Sequence, residues 1–400
     1  MEKWKKLVYI SWLALFLHMT GMAMIMPFLP LYIKELGVTN PKEVTAWSGI
    51  IFGIAFLFSG ILSPFWGSLG DKYGRKPIIL RSSFGLSLVA IGMHLASNIY
   101  HLLILRIIHG VLGGIVPSFI ALVSSNLPKD KTGTGLGTLQ TAMIGGSILG
   151  PLIGGILSDL IGYRNVLLVI ALLPFLGGII TTLFINEQRQ EIKKTHFSVL
   201  NNIKFVVSSK YLIIIIIIQF TIQFSLMMVQ PLLPLFIESL HVKTNIGTFV
   251  GATFATTGIF TMIFAPLFGK EGDKKGHRKI LSRSLLFTSI FFFPQSLVTS
   301  IYQLLPLRAA IGTFVAGIVP STQSLIVKNT PDSKRGGILG ITQSFSLFGN
   351  AIGPIIGGSL AAIFGIRLSF IITSIILFFT WNLSKKLTIK PAIPSPPTEQ

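Results

Sequence analysis

The sequence predicts an all-α membrane protein of twelve transmembrane helices, arranged as two pseudo-symmetric bundles of six. Hydrophobic residues make up 51% of the 400 residues and charged residues only 12%, a composition outside the range of soluble globular proteins. Twelve apolar runs have the length, about 20 residues, that a helix needs to cross ~30 Å of hydrocarbon. Short motifs of the first six runs return in the second six, which indicates a duplicated six-helix unit.

The apolar runs follow one another along the chain with short polar loops between them. The first six cover residues 7–32, 47–66, 78–96, 102–123, 136–157 and 166–185. The second six cover residues 212–236, 246–268, 280–298, 304–327, 338–363 and 368–383. The runs are continuously apolar rather than alternating, which favours helices over strands of a membrane barrel. The first run is too long for the core of a signal peptide, so we expect it to remain as the first helix.

The duplicated motifs divide the chain into two halves. Residues 1–185 are predicted to form the first bundle and residues 211–387 the second. The polar residues 186–210 are the predicted linker, and the proline-rich residues 388–400 are predicted to form a disordered tail. At an offset of 202 to 204 residues, segments 26–33, 67–76 and 150–155 return as segments 230–237, 269–279 and 353–358.

Positive charge predicts the orientation of these helices. Most of the 33 lysine and arginine residues, including those of segments 67–76 and 269–279, fall in loops on one side of the membrane. Because basic loops stay in the cytoplasm, both termini are predicted to be cytoplasmic. The net charge of +20 is dispersed over helix ends, where contact with anionic lipid explains it better than binding of nucleic acid. The absence of cysteine excludes disulfides, thiol catalysis and cysteine metal sites.

The loop 67–76 has the order Gly-x-Leu-x-Asp-x-x-Gly-Arg-Lys. With twelve spans and two parallel halves, it resembles the major facilitator superfamily over residues 7–385. In that family the aspartate of this loop joins the cytoplasmic ends of helices 2 and 11, so the resemblance implies that Asp71 faces Gly336 and Gly337. By the repeat, Asp273 would face the start of helix 5 near residues 133–135. The alternative is a solvated basic turn that only sets topology. The implied cytoplasmic gate comprises Gly67, Asp71, Gly74, Arg75 and Asp273.

The fifth run carries a second family motif at residues 146–155, Gly-x-x-x-Gly-Pro-x-x-Gly-Gly. It resembles an element of drug–proton antiporters within the same superfamily, and the resemblance implies export. Glycine lets another helix approach closely, and a proline removes one backbone hydrogen bond and can kink the helix. The alternative is a glycine interface used only for packing. The predicted hinge of helices 5 and 11 comprises Gly150, Pro151, Gly154, Gly353, Pro354 and Gly357.

Three residues within the spans are candidates for energy coupling. Arg106 matches a buried arginine of the family, although an arginine that extends to the membrane surface is the alternative. Every aspartate and glutamate lies in a loop or near a helix end, whereas many drug–proton antiporters carry one at mid-membrane. His18 and His109 could exchange protons near neutral pH instead. A hydrogen-bonded core histidine is the commoner role, and it remains the alternative for both.

The substrate cavity in this superfamily is lined by helices 1, 4, 7 and 10. Uncharged amides and flexible thioethers suit varied amphipathic or lipophilic compounds. Hydrogen bonds between helices and contact with lipid are the alternatives for these side chains. The predicted cavity residues are Met22, Met26, Gln219, Gln223, Met227, Gln230 and Arg308.

The resemblance implies a secondary active transporter, not an enzyme, in the bacterial inner membrane. It would export drugs or toxic amphiphilic small molecules by proton antiport through alternating access. An exporter or importer of one dedicated metabolite, such as a siderophore or nutrient, is the alternative, and a membrane enzyme or receptor would need a clustered polar site or a soluble domain. No phosphate-binding loop is present, so ATP is not expected as the energy source. The expected partners are a small-molecule substrate, protons and membrane lipid, with no cofactor, metal or nucleic acid, and the expected state is a monomer.

Overall fold

The structure, a computed structural model, describes residues 2–128, 131–187, 199–240, 242, 244–331 and 334–387. All regular secondary structure in these residues is helical. Residues 188–198, which make up much of the predicted linker, and the predicted tail at 388–400 lie outside this description. The described part of the chain confirms the all-α class.

The first half contains eight helices, because two of its six spans are interrupted. They are α1 (Lys3–Met24), α2 (Leu29–Glu35), α3 (Pro41–Tyr73), α4 (Arg75–Leu95), α5 (Ile99–Val111), α6 (Ile115–Ser125), α7 (Thr132–Ile161) and α8 (Tyr163–Phe184). Pro27 follows α1 and cannot donate the backbone hydrogen bond that would continue it. Pro30 lies in the first turn of α2, where proline is tolerated. Gly114, with φ of +99°, separates α5 from α6.

The second half repeats the same order after a short linker helix. Its helices are α9 (Val199–Ser208), α10 (Lys210–Val229), α11 (Leu233–Ser239), α12 (Ile246–Lys275), α13 (His277–Gln295), α14 (Ile301–Val315), α15 (Ile318–Lys328), α16 (Arg335–Phe364) and α17 (Ile366–Ser384). A 3-10 turn at Gln230–Leu232 joins α10 to α11. Pro231 and Pro234 interrupt the seventh span where Pro27 and Pro30 interrupt the first, so the repeat extends to the breaks.

Eleven helical segments of the described chain are long and apolar enough to cross a bilayer. The ninth predicted run corresponds to α13, which begins with His277, Arg278 and Lys279 and also carries Arg283. Its apolar stretch is therefore shorter. α13 packs against α14 and α17, as its counterpart α4 packs against α5 and α8. The twelve-span architecture is confirmed.

Each half is a bundle with its own apolar core. In the first half α1 packs against α7 and α8, and in the second α10 packs against α16 and α17. One buried cluster fills the second half, and two fill the first. The halves meet mainly along two helix pairs, α3 with α16 and α7 with α12.

Glycines bring these interface helices into backbone contact. A Cβ atom at Gly49 of α3 would overlap the carbonyl group of Pro354 on α16. A Cβ atom at Gly155 of α7 would likewise overlap the carbonyl group of Gly247 on α12. Dispersion forces between such closely approaching backbones are a main source of helix association in lipid. The interface therefore tolerates no side chain at these points.

The glycine interface predicts the effect of a single methyl group. Replacing Gly49 with Ala should push α3 and α16 apart, at a cost of roughly 1–3 kcal/mol for overpacking. The chain has no cysteine, so Ser158→Cys, a near-isosteric change at a residue that is 4% exposed, can report the opening. We expect a maleimide to label this cysteine at least about fivefold faster in the Gly49→Ala background.

The matched control is Gly60→Ala on the same helix. A Cβ atom there would make only an ordinary contact, 3.5 Å from the Cβ of Leu347, so labelling should stay at the parent rate. Equal labelling of the Gly49→Ala and Gly60→Ala proteins would contradict the proposed tightness of the interface.

Candidate transport site and gates

One face of the molecule is closed by a carboxylate that crosses between the halves. Asp159, in the last turn of α7, accepts hydrogen bonds from the backbone N–H groups of Gly247 (2.9 Å) and Thr248 (2.7 Å) and from the Thr248 hydroxyl (2.7 Å). These residues begin α12, whose first N–H groups have no partners within the helix. The negative charge also faces the positive end of the helix dipole. Asp159 therefore caps a helix of the opposite half.

Two further contacts join repeat-related residues at the same face. The Lys34 ammonium group donates to both carboxylate oxygens of Glu238, at 2.7 and 2.6 Å. The Gln230 amide lies 3.2 Å from the sulfur of Met26. In each pair the second residue is the counterpart of the first in the repeat, so the pseudo-two-fold axis passes between them. We call the face that contains Lys34, Asp159 and Glu238 the closed face.

The halves separate toward the opposite face, which carries segments 67–76 and 269–279 and is called here the basic face. Along α3, Gly53 is packed against α16, whereas a Cβ atom at Gly67 would meet no atom within 4 Å. Along α7, Gly155 is packed against α12, whereas a Cβ atom at Gly137 or Gly133 would also meet no atom within 4 Å. The contact is therefore lost progressively from one face to the other. The interior between the halves opens at the basic face.

The loop 67–76 is held within the first half. Asp71 forms an ion pair with Arg75 one turn later, and Arg75 also donates to the carbonyl oxygen of Gly67 (3.2 Å). Gly74 has φ of +100°, a conformation that other residues rarely adopt. The four predicted gate residues of this loop thus form one turn.

Glu187 binds this loop through a contact that the sequence did not reveal. Its carboxylate accepts hydrogen bonds from the backbone N–H groups of Arg75 (2.7 Å) and Lys76 (2.8 Å), at the start of α4. In return, the Lys76 ammonium group donates to the carbonyl oxygen of Ile185 (2.6 Å). The loop is therefore tied to the end of the sixth span. An acidic residue immediately after an apolar run was the only sequence signal.

The predicted contacts between Asp71 and the start of α16 are not formed. A Cβ atom at Gly337 would meet Asn202 of α9, and Gly336 faces open space. Asp273 similarly binds His277 (3.0 Å) rather than the start of α7. The reason is that the halves are apart at the basic face and that α9 covers the beginning of α16. Both contacts are absent from this conformation, and they stay predictions for a conformation in which the basic face is closed.

Proline and glycine residues of the predicted hinges lie where helices touch. A Cβ atom at Gly150 would overlap the carbonyl oxygen of Thr20 on α1, and one at Gly154 would overlap Met24. In the second half, Gly353 and Gly357 meet α10 in the same way, at Phe224 and Met228. Pro151 and Pro354 lie inside α7 and α16, and each contributes a carbonyl group to the interface with the other half. These helices thus contact both their own half and the other one.

The predicted cavity residues divide into two groups. Met22 is 36% exposed, and partly exposed positions are also found for Met26, Gln223, Met227 and Gln230. Gln219 and Arg308 are only 9% and 7% exposed. They lie inside the second bundle, so the structure does not place them on the open wall of the cavity, contrary to the prediction. The open wall is uncharged at these positions.

The three coupling candidates lie inside the first half. Arg106 is 4% exposed, its Nε donates to the carbonyl oxygen of Ile51 (3.0 Å) and its guanidinium lies over the ring of Phe52. The alternative of an arginine that extends to the membrane surface is therefore wrong. His18 and His109, on different helices, line one common pocket. Among the described residues, no group of three or more His, Cys, Asp or Glu could hold a metal ion.

Comparison with known proteins identifies the family. The family model described as Major Facilitator Superfamily matches residues 11–257 and 244–398. The chain belongs to the major facilitator superfamily. It is 38% identical to the multidrug resistance protein MdtG of Enterobacter lignolyticus over 402 residues, covering 99% of this chain and 96% of that protein. It is 37% identical to MdtG of Escherichia fergusonii, covering 95% and 94%.

Solved structures share the fold at low sequence identity. A bacterial homolog of the human lysosomal transporter Spinster, in an inward-facing and unoccupied conformation, matches with a TM-score of 0.81 at 14% identity, covering 98% of this chain and 100% of that one. The human organic anion transporter MFSD10 matches with a TM-score of 0.69 at 17% identity, covering 96% and 100%. This superfamily member is thus a multi-pass transporter of small molecules in the bacterial inner membrane and not an enzyme.

The closed face predicts how Asp159→Asn changes the conformational equilibrium. The amide loses the charge and part of the capping interaction, together worth about 1–2 kcal/mol. This difference should raise, about 5–30-fold, the population of molecules in which the halves have separated at the closed face. The measurement is maleimide labelling of Ser158→Cys from that face of oriented vesicles.

Glu2→Gln provides the matched control, because it removes a carboxylate charge at the opposite end of the molecule, before the start of α1, where the Glu2 side chain is 62% exposed. It should leave labelling of the cysteine at 158 unchanged. Labelling that does not respond to Asp159→Asn would show that the cap does not hold the closed face.

Proposed function

We propose that this transporter exports lipophilic or amphipathic drugs and other toxic small molecules from the cytoplasm by proton antiport through alternating access. The observation that carries the proposal is a space between two bundles, closed at one face and open at the other, with uncharged, partly exposed side chains at five predicted cavity positions, in a chain similar to MdtG over nearly its full length. Methionine and glutamine side chains such as Met22, Met227 and Gln223 can adapt to differently shaped compounds. Binding and transport of such compounds require no catalytic group.

The proposed orientation follows from the distribution of charge. Loops at the basic face carry most of the lysine and arginine residues, and such loops remain in the cytoplasm. Both termini would then be cytoplasmic. The conformation described here is accordingly the one that takes up substrate from the cytoplasm, with the closed face toward the outside.

Transport then consists of rocking one half against the other. The contacts of Asp159 with α12 and of Lys34 with Glu238 break when the closed face opens. The basic face closes at the same time, and in that state Asp71 reaches the start of α16 as the family resemblance implies. The glycine and proline residues of α7 and α16, at 150–154 and 353–357, form the contact about which the halves turn. Asp273 is the counterpart of Asp71 in the second half, and it would reach the start of α7 when the basic face closes.

Proton coupling is assigned to the polar groups buried in the first half. Arg106, His18 and His109 lie within the spans, whereas the described carboxylates lie in loops or near helix ends. Coupling requires that proton binding and substrate binding favour different conformations. A buried group whose access to water changes from one side of the membrane to the other during rocking meets this requirement.

Uptake into inverted membrane vesicles tests the function. We expect ethidium to accumulate when a proton gradient is imposed, and to stop accumulating when a protonophore dissipates it. Depletion of ATP at a clamped gradient should change nothing, because the chain has no phosphate-binding loop. Gradient-independent equilibration would instead indicate a facilitator, and transport of one metabolite without drug transport would favour a dedicated carrier.

A second test addresses the cytoplasmic gate. Asp71→Asn should lower the initial rate of export about tenfold without reducing the amount of protein in the membrane. The exposed ion pair with Arg75 that is lost while the basic face is open contributes little, whereas about 1 kcal/mol or more of charge–dipole energy is lost when the basic face closes. Glu43→Gln, an exposed change in the first turn of α3, is the matched control and should export normally. Wild-type export by Asp71→Asn would remove Asp71 from the gate.

A further inference from the structure

A small pocket lies inside the first half, beside the space between the halves. It has a volume of about 30 Å³ and is surrounded by four helices. His18, Gly21, Met22 and Ile25 of α1 form one side, and His109 of α5 lies on another. The remaining lining residues are Leu86, Ala90 and Met93 of α4 and Ile170 and Pro174 of α8. Met22 is 36% exposed and lies one turn before Met26, whose sulfur contacts the Gln230 amide of the other half.

The pocket contains a buried side chain whose polar atoms have no partner. His18 is 3% exposed, and neither of its ring nitrogens makes a hydrogen bond with the described residues. A buried polar group without a partner costs on the order of 1–3 kcal/mol. A water molecule needs roughly 10–15 Å³ of such a cavity, so the pocket has room for about two. Water between His18 and His109 would satisfy both imidazoles.

The repeat argues against a purely structural role for the two histidines. At the offset of segments 26–33 and 230–237, the counterpart of His18 is Ile222. At the offset that relates Arg106 to Arg308, the counterpart of His109 is Ile311. Both isoleucines belong to the continuous apolar core of the second half. The bundle therefore folds with apolar residues at these positions, yet the first half keeps a polar pair at both.

The surroundings contain one other charged group. Arg106 lies one turn before His109 on α5, and its Nε is engaged with the carbonyl oxygen of Ile51. The lining residues of α4 and α8 are apolar, and α7 presents glycines to α1. Imidazole is the side chain whose charge changes most readily between pH 5 and 8. The two histidines are thus the titratable groups of the pocket.

We propose that this pocket is a hydrated proton-binding site in which His18 and His109 share one proton, separate from the space that holds the drug. The inference rests on the proposed antiport and assigns the residues that carry it. A hydronium ion on the outer side gives its proton to an imidazole nitrogen, so one O–H bond breaks and one N–H bond forms. On the cytoplasmic side the same N–H bond breaks and the proton passes to a water molecule, which becomes hydronium.

The position of Arg106 limits how tightly the pair holds a proton. A protonated imidazole would add a second positive charge on the adjacent turn of α5, which is unfavourable in a low-dielectric interior. Arg106 therefore favours the neutral pair and the release of the proton. Since both histidines belong to the first half, rocking acts on the site by changing which side of the membrane supplies water to it, not by changing the distance between the imidazoles.

The test uses the full-length protein in liposomes with ethidium as substrate, and it measures two quantities. Counterflow exchange of labelled ethidium at equal pH reports binding and alternating access without net proton movement. A pH indicator in the lumen reports protons moved per ethidium during net transport. His18→Gln and His109→Gln should retain counterflow within about twofold and lose at least about tenfold of the ethidium-linked proton movement.

His101→Gln is the control, because His101 is exposed and, among the described residues, its ring binds Ser97 and Asn98 near the start of α5. It should behave as wild type in both measurements. If His18→Gln does not reach the membrane, the double variant His18→Ile/His109→Ile serves instead, because the second half has isoleucine at both corresponding positions. Either variant overturns the inference if it moves protons with ethidium as the wild type does. Ethidium transport without protons by the wild type would overturn the antiport itself, and this inference with it.

Discussion

The backbone contact between glycine-bearing helices at the closed face is the constraint on which the rest of the structure depends. Gly49 and Gly155 bring α3 onto α16 and α7 onto α12 so closely that no side chain fits between them. Two rigid bundles that touch at one edge must diverge at the other, because each is held together by its own apolar core. The opening at the basic face is therefore a consequence of the closure at the opposite face, and one motion changes both.

The duplication makes the arrangement of helices in the two halves symmetric, but the polar contacts at the closed face are not symmetric. The first turn of α3 is capped by its own Asn40, which accepts from the N–H of Lys42 (3.0 Å). At the equivalent place Asn245 forms no such cap, and α12 receives Asp159 from the opposite half instead. The counterpart of Asp159 in the repeat is Ala362. The start of α12, which has no cap of its own, is thus capped by a residue of the first half. This cap links the two halves, and it exists only while the closed face is closed.

The sequence predicted what depends on composition and repeat, and missed what depends on tertiary contact. Twelve spans, two halves and the turn that contains Asp71 and Gly74 follow from hydropathy and from one motif, and the structure confirms the architecture. Glu187 and Asp159 could not be assigned, because each caps a helix distant in sequence and carries no local pattern. The burial of Arg308 was missed for a similar reason: helical periodicity assigns a face, but only packing decides whether that face meets the cavity or the bundle interior.

The interior of the two bundles has diverged further than their interfaces. Arg106 and Arg308 are both buried, yet Arg106 has the carbonyl oxygen of Ile51 as a partner, while two guanidinium nitrogens of Arg308 have none among the described residues. Unpartnered polar atoms cost more than a hydrogen bond returns, so stability alone would favour apolar residues at such places, like the isoleucines that stand at the counterparts of His18 and His109. Under the proposed antiport, such atoms would bind water, and hydration is what a proton needs in order to enter and leave.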